Sequence, residues 1–209
     1  MSKNNTKEIL IIAIKLLVIC SVVATIVASV NYITKDRIAF NEMLNTAEAL
    51  TGIYKEDYNA PFSVDEGGFV IKDGDNTVIS CTEEQFTFTS KDVKAIYVLR
   101  DSDGSSVGYC VSVQPMGFKD YIKMLVAVNP DCTVKGVEIV SMSETSGIGT
   151  KAKDKSFIEQ FISLDETAVK RDVDTIAGAT KTTRPVIDAV AASLYEVSEY
   201  IHVNGGVSK

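Results

Sequence analysis

The residues best suited to chemistry stand in one run, Asp174-Thr175-Ile176-Ala177-Gly178-Ala179-Thr180-Lys181-Thr182-Thr183. An acidic residue is followed by small and hydroxylated ones, and a helical pattern begins just beyond them. Gly178 and the alanines beside it let the backbone approach a ligand closely. The N–H groups and dipole of a helix start then favour a phosphate, so the chemistry on offer is anion binding. The same residues also make a plain helix N-cap with spare threonines. A second run, Glu144-Thr145-Ser146-Gly147-Ile148-Gly149-Thr150, reads by itself as a strand-to-helix turn whose glycines supply positive φ.

Composition removes other chemistries. His202 is the one histidine, so neither a histidine metal triad nor a Ser-His-Asp site can form without it, and it reads as a solvated helix-end residue. Cys20, Cys81, Cys110 and Cys132 show no CxxC spacing, which leaves core thiols rather than zinc or iron–sulfur ligands. No glycine fingerprint for a dinucleotide follows a strand pattern. Neither a catalytic set nor a metal site is therefore expected. Residues 1–35 hold Lys3, Lys7, Lys15 and Lys35 against Glu8, a balance of +3, so the remainder carries −10 of the net −7. A body this acidic lacks the clustered cations that nucleic acid requires.

The elements that must position these residues follow from periodicity. Ile9 to Val30 is 22 residues long with Lys15 as its single charge. At about 1.5 Å per residue it spans roughly 33 Å, enough for a transmembrane helix. Lys15 lies close enough to the amino end for its stem to carry the ammonium to the interface. Val27-Ala28-Ser29 has small residues suited to signal cleavage, but Tyr32 and Lys35-Asp36-Arg37 form an interfacial stop, so a retained anchor is expected. Lys3 and Lys7 before the span and Lys15 near its amino end, against Lys35 and Arg37 after it, favour an inside amino terminus and a translocated domain.

Residues 36–56 continue as a stalk helix, with Ile38, Met43, Leu44, Ala47, Leu50 and Ile53 recurring every three to five positions. Past Pro61, Gly68 to Ile71 and Thr77 to Ile79 suit a hairpin around Lys72-Asp73-Gly74-Asp75-Asn76. Ala95 to Leu99, Val107 to Val113, Tyr121 to Val128 and Val134 to Met142 follow, separated by tight-turn residues, and predict an antiparallel meander with a bulge at Gly136. Asp154 is placed to cap a short helix through Phe157 and Phe161, and a longer helix starts at about Arg184 with Pro185 in its first turn. The fold class is α+β: a meander packed with helices behind one amino-terminal span.

The pattern Asp174-x-x-Ala177-Gly178-Ala179-Thr180, with Thr182 beyond it, resembles the flavinylation motif of the FMN-binding domain family. In that family the threonine after Gly-Ala is esterified through its hydroxyl to the phosphate of FMN. The resemblance implies covalent FMN on Thr180, with Asp174, Gly178 and Ala179 in the signature read by a flavin transferase and Thr182 beyond them among the residues around the cofactor. Ala177 stands where the family usually has Ser or Thr, which bears on transfer efficiency more than on the acceptor. The Glu144 run is similar to the family's Glu-Thr-Pro-Gly-x-Gly loop, with Ser146 for the proline. That likeness implies that Glu144, Thr145, Gly147 and Gly149 line the flavin pocket. Gly117-Phe118-Lys119-Asp120-Tyr121 resembles a glycine-aromatic stretch before a family strand and receives no functional role.

Together these likenesses imply residues 1–8 as a cytoplasmic terminus, 9–33 as the membrane helix, 34–60 as the juxtamembrane stalk and 61–209 as an extracytoplasmic FMN-binding domain. The implied role is an electron-carrying subunit in a cell-membrane complex that couples ferredoxin:NAD electron transfer to sodium or proton translocation. Flavin- and iron–sulfur-carrying subunits would be its partners, and this chain would hold no complete active site. Competing expectations are a standalone membrane-anchored FMN reductase or electron carrier, and a non-redox module that binds a small anion or other ligand.

Overall fold

The computed structural model describes residues 3–65, 68–73 and 76–205, so Gly74 and Asp75 of the expected hairpin turn lie outside the described residues. The chain divides into two compact units, Met1–Met43 and Leu44–Lys209. Helix α1, Lys3–Ile53, passes from the first unit into the second.

In the first unit, α1 exposes large apolar side chains from Ile9 to Val30 on every side. Among the described residues it is the one helix long and apolar enough to cross a membrane. Its few hydroxyls bond backward along the helix: Thr25 Oγ1 donates to the Ser21 carbonyl and Ser29 Oγ to the Thr25 carbonyl, each at 2.8 Å. A side chain satisfied in this way costs little in a medium without water.

The second unit is built on a seven-stranded antiparallel sheet in chain order. Its strands are β1 Ser63–Asp65, β2 Gly68–Asp73, β3 Asn76–Glu84, β4 Val93–Asp101, β5 Ser106–Val113, β6 Lys123–Val128 and β7 Val134–Ser141. Strand β1 has no periodic signal in three residues. Helix α2 is Lys155–Ile158, α3 is Glu166–Asp172 and α4 is Thr180–Gly205.

Successive side chains of a strand point to opposite faces, and here both faces are covered. One face sets Ile96, Val98, Val111, Val113, Met124, Val126 and Val128 in a core with Val186, Val190, Leu194 and Val197 of α4. The other sets Cys81, Leu99, Cys110, Leu125 and Ala127 in a core with Ala47, Ala49 and Leu50 of α1 and with Tyr54 and Phe62. Double coverage explains why Met124 to Val128 reads as an unbroken apolar run. The bulge falls beside its expected place: Ala127 pairs with Gly136 and Val128 with Val134, so Lys135 is the extra residue.

Three helical expectations are corrected. Helix α4 begins at Thr180, four residues before Arg184, because the Ala179 carbonyl already accepts the N–H groups of Thr182 and Thr183 at 2.9 Å. Pro185 therefore lies inside the helix and offers no N–H to the Lys181 carbonyl. Asp154 occupies the N-cap of α2 without a side-chain cap bond; its carbonyl instead accepts from Phe157 and Ile158. Asp165 is a true cap, accepting from the Ala168 N–H at 2.8 Å, and it starts α3, which periodicity misses in seven residues.

Candidate functional site

Three segments far apart in sequence meet at one end of the sheet. The first is the connection from β5 to β6, where Met116 bridges Tyr121 and the Gly117 N–H donates to the Asp120 carbonyl at 2.9 Å. This tight reversal carries Phe118 at its tip, exposed to solvent. The second is the loop after β7, in which Ile148 and Thr150 both donate to the Thr145 carbonyl at 3.2 Å. Gly147 takes φ +74 there, a conformation an L side chain rarely adopts. The third is the start of α4, reached through Gly178 at φ +80.

The Glu144 carboxylate joins all three. It is 7% exposed, and Oε1 accepts the Lys119 N–H at 3.0 Å while Oε2 accepts the Thr182 hydroxyl at 2.8 Å. Burial alone would raise its pKa, but hydrogen bonds from the Lys119 N–H, the Thr182 hydroxyl and the Asp120 and Phe118 N–H groups outweigh it. The carboxyl is held below its ordinary range and stays ionised at neutral pH.

Above this junction lies an open groove of about 560 Å³ lined by Gly117, Phe118, Thr180, Lys181, Arg184 and Pro185. Its volume falls within the range of roughly 300–1,000 Å³ typical of small-molecule sites. Thr180 is the first residue of α4 and its side chain is exposed. The Lys181 ammonium lies 5.4 Å from the Phe118 ring centroid, and Arg184 follows Thr180 by one helical turn while its Nε reaches Asp188 at 3.5 Å. A hydroxyl, two cations and a helix amino end suit a phosphate, and an exposed aromatic face suits a planar ring. The donor set therefore fits FMN.

The sequence-derived candidates separate into two layers. Thr180 lines the groove, whereas Glu144, Gly149, Ala179 and Thr182 are buried beneath it. Asp174, Gly178, Thr145 and Gly147 are not part of the groove lining; the Asp174 N–H donates to Gln160 Oε1 at 2.9 Å. Sequence reasoning passed over Gly117, Phe118, Lys181, Arg184 and Pro185. The one available signal was the glycine-aromatic pair, together with cations one and four residues past Thr180. Among the described residues no group of three His, Cys, Asp or Glu side chains is disposed to hold a metal. Burial pushes the Cys81 thiol up to about 12 and Cys110 well above its ordinary value, as expected of core thiols.

Residues 117–195 match the FMN-binding domain family, and residues 1–53 match the RnfG N-terminal region. The G-type subunit of the ion-translocating oxidoreductase complex of Methanosarcina acetivorans is 27% identical over 201 residues, covering 93% of this chain and 97% of the relative. The G-type subunit of the proton-translocating ferredoxin:NAD(+) oxidoreductase complex of Clostridium ljungdahlii is 32% identical over 103 residues, covering 46% of this chain and 56% of its own. A crystal structure of Shewanella oneidensis NqrC aligns with 48% of this chain and 54% of its own at a TM-score of 0.40 and 26% identity.

Proposed function

We propose, for a chain whose residues 117–195 match the FMN-binding domain family and whose residues 1–53 match the RnfG N-terminal region, that it is the electron-transfer flavoprotein subunit of an ion-translocating membrane oxidoreductase, with FMN held covalently on Thr180. The observation that carries the reading is the position of Thr180. It is an exposed hydroxyl at the first residue of a 26-residue helix, in a groove that also presents Lys181, Arg184 and Phe118. When bound, FMN supplies one- and two-electron transfer.

The chain's own residues bind and orient. Lys181, Arg184 and the helix amino end would offset the phosphate's charge, and the Phe118 face would give the ring an apolar floor. Glu144, Gly149 and Thr182 support that floor from below. Asp174, Gly178 and Ala179 serve as the signature that a flavin transferase reads, and Thr145 and Gly147 shape the neighbouring loop. A covalent tether makes sense for a domain outside the cytoplasm, where a dissociated cofactor would be retained only in proportion to its concentration over its Kd. We place that domain on the extracytoplasmic side of the cell membrane, anchored by α1, with ferredoxin, NAD and the ion path handled by flavin- and iron–sulfur-carrying partner subunits. Electrons pass from ferredoxin to NAD in this scheme, and sodium or protons move in response.

The test is ultraviolet fluorescence of the band on a denaturing gel, since only a covalent flavin survives unfolding. Wild-type protein from its native host should fluoresce, and Thr180→Val should be dark. A dark wild-type band in cells containing the transferase overturns the tether and favours noncovalent anion binding at the helix start.

A further inference from the structure

Glu144 presents a physical problem with a local solution. A carboxylate left 7% exposed costs several kcal/mol unless donors surround it, and here they do. Both oxygens are engaged by the protein: Lys119 N–H on Oε1 at 3.0 Å, Thr182 hydroxyl on Oε2 at 2.8 Å. Space for the group is made by two glycines from different loops. A Cβ on Gly149 would stand 2.9 Å from Oε2 and 3.0 Å from Thr182 Oγ1, and a Cβ on Gly117 would overlap Oε1. The donors belong to the segments that form the groove walls. Lys119 directly follows Phe118, and Thr182 lies two residues after Thr180.

We propose that Glu144 is a positioning residue, which acts through Lys119 and Thr182 to hold the Phe118 face and the Thr180 hydroxyl in one groove and so fixes the orientation of a flavin ring tethered to Thr180. The inference rests on the reading of Thr180 as the tether. It revises the expectation for Glu144: its oxygens are bonded inward, and it governs the flavin without touching it.

The experiment uses the full chain produced with its transferase, as wild type, Glu144→Ala, Glu144→Gln and Thr182→Val. Covalent flavin is read on a denaturing gel, and ring order is read in the folded protein by visible circular dichroism and flavin fluorescence anisotropy. In Glu144→Gln the amide oxygen still accepts from Lys119 and the amide nitrogen still reaches Thr182, so both signals should stay near wild type. Glu144→Ala and Thr182→Val should carry the tethered flavin but lose half or more of the visible dichroism, with a matching fall in anisotropy.

Thermal stability is measured alongside. A lowered Tm with unchanged dichroism and anisotropy overturns the positioning role, because it is what a merely structural residue would give. Should Glu144→Ala fail to fold, Thr182→Val decides alone, since it removes one bond and keeps the volume. A dark wild-type band overturns the tether and this inference together, whereas a flavin-loaded Thr182→Val with wild-type spectra overturns the inference only.

Discussion

Tyr54 is 3% exposed, and among the described residues its hydroxyl has no hydrogen-bond partner, an expensive arrangement for a phenol. Burial, then the neighbouring Cys110 and Cys81, push its pKa far above the ordinary phenol value, so it stays neutral. Its ring is what the core uses. It packs against Phe62 at 6.0 Å and Tyr58 at 6.1 Å, and the Lys135 ammonium sits 5.3 Å from its centroid. Tyr54→Phe keeps each of these contacts and removes the unpaired oxygen. Denaturant unfolding of this variant should show stability unchanged or raised by about 1 kcal/mol. A loss of that size would mean that the hydroxyl has a partner. Thr180 is the opposite case: an exposed hydroxyl that the packing does not need, so Thr180→Val is expected to leave the fold intact while it removes the flavin.

At the scale of elements, the contact between α1 and β7 depends on a missing side chain. A Cβ on Gly136 would come 2.7 Å from Ile53 Cγ2, so the last turn of α1 lies directly over this point of the sheet. The bulge at Lys135 adjoins it, and the Lys135 ammonium returns to Asp57 just past the helix at 2.8 Å. Gly136→Ala should therefore destabilise by about 1–3 kcal/mol through overpacking. Adding Ile53→Ala should relieve part of that cost, giving a coupling of roughly 0.5–3 kcal/mol in a double-mutant cycle. Additive losses would show that the glycine serves strand geometry alone.

For the whole molecule, the boundary between Met43 and Leu44 divides one continuous helix. Ala47, Ala49 and Leu50 are core residues of the second unit, so the anchor's final turns belong to the folded domain. A fragment covering 44–209 should be soluble and unfold cooperatively. One covering 55–209 should not, because it loses the buried Leu50 and Tyr54, each worth about 2–5 kcal/mol when truncated. Full-length protein should remain with membranes through high-salt washing, and protease added to spheroplasts should digest the domain. Protection until the membrane is lysed would reverse the proposed sidedness.

What the sequence determined by itself was whatever depends on near neighbours. The apolar stretch from Ile9 to Val30 fixes its helix by length, and turn residues such as Asn129-Pro130-Asp131 between extended runs fix a meander whose strands pair in chain order. Thr180 stands out through the small residues adjoining it. Tertiary structure alone decided the rest, because the deciding contacts join residues far apart in the chain. Glu144 reaches Lys119 across 25 positions and Thr182 across 38, and the buried Glu196 takes the Ser90 N–H across 106. No local period encodes such pairs. Phe118 therefore joins the site and Glu144 moves beneath it, because the folded sheet brings three loops to one end, where Glu144 bonds to both Lys119 and Thr182.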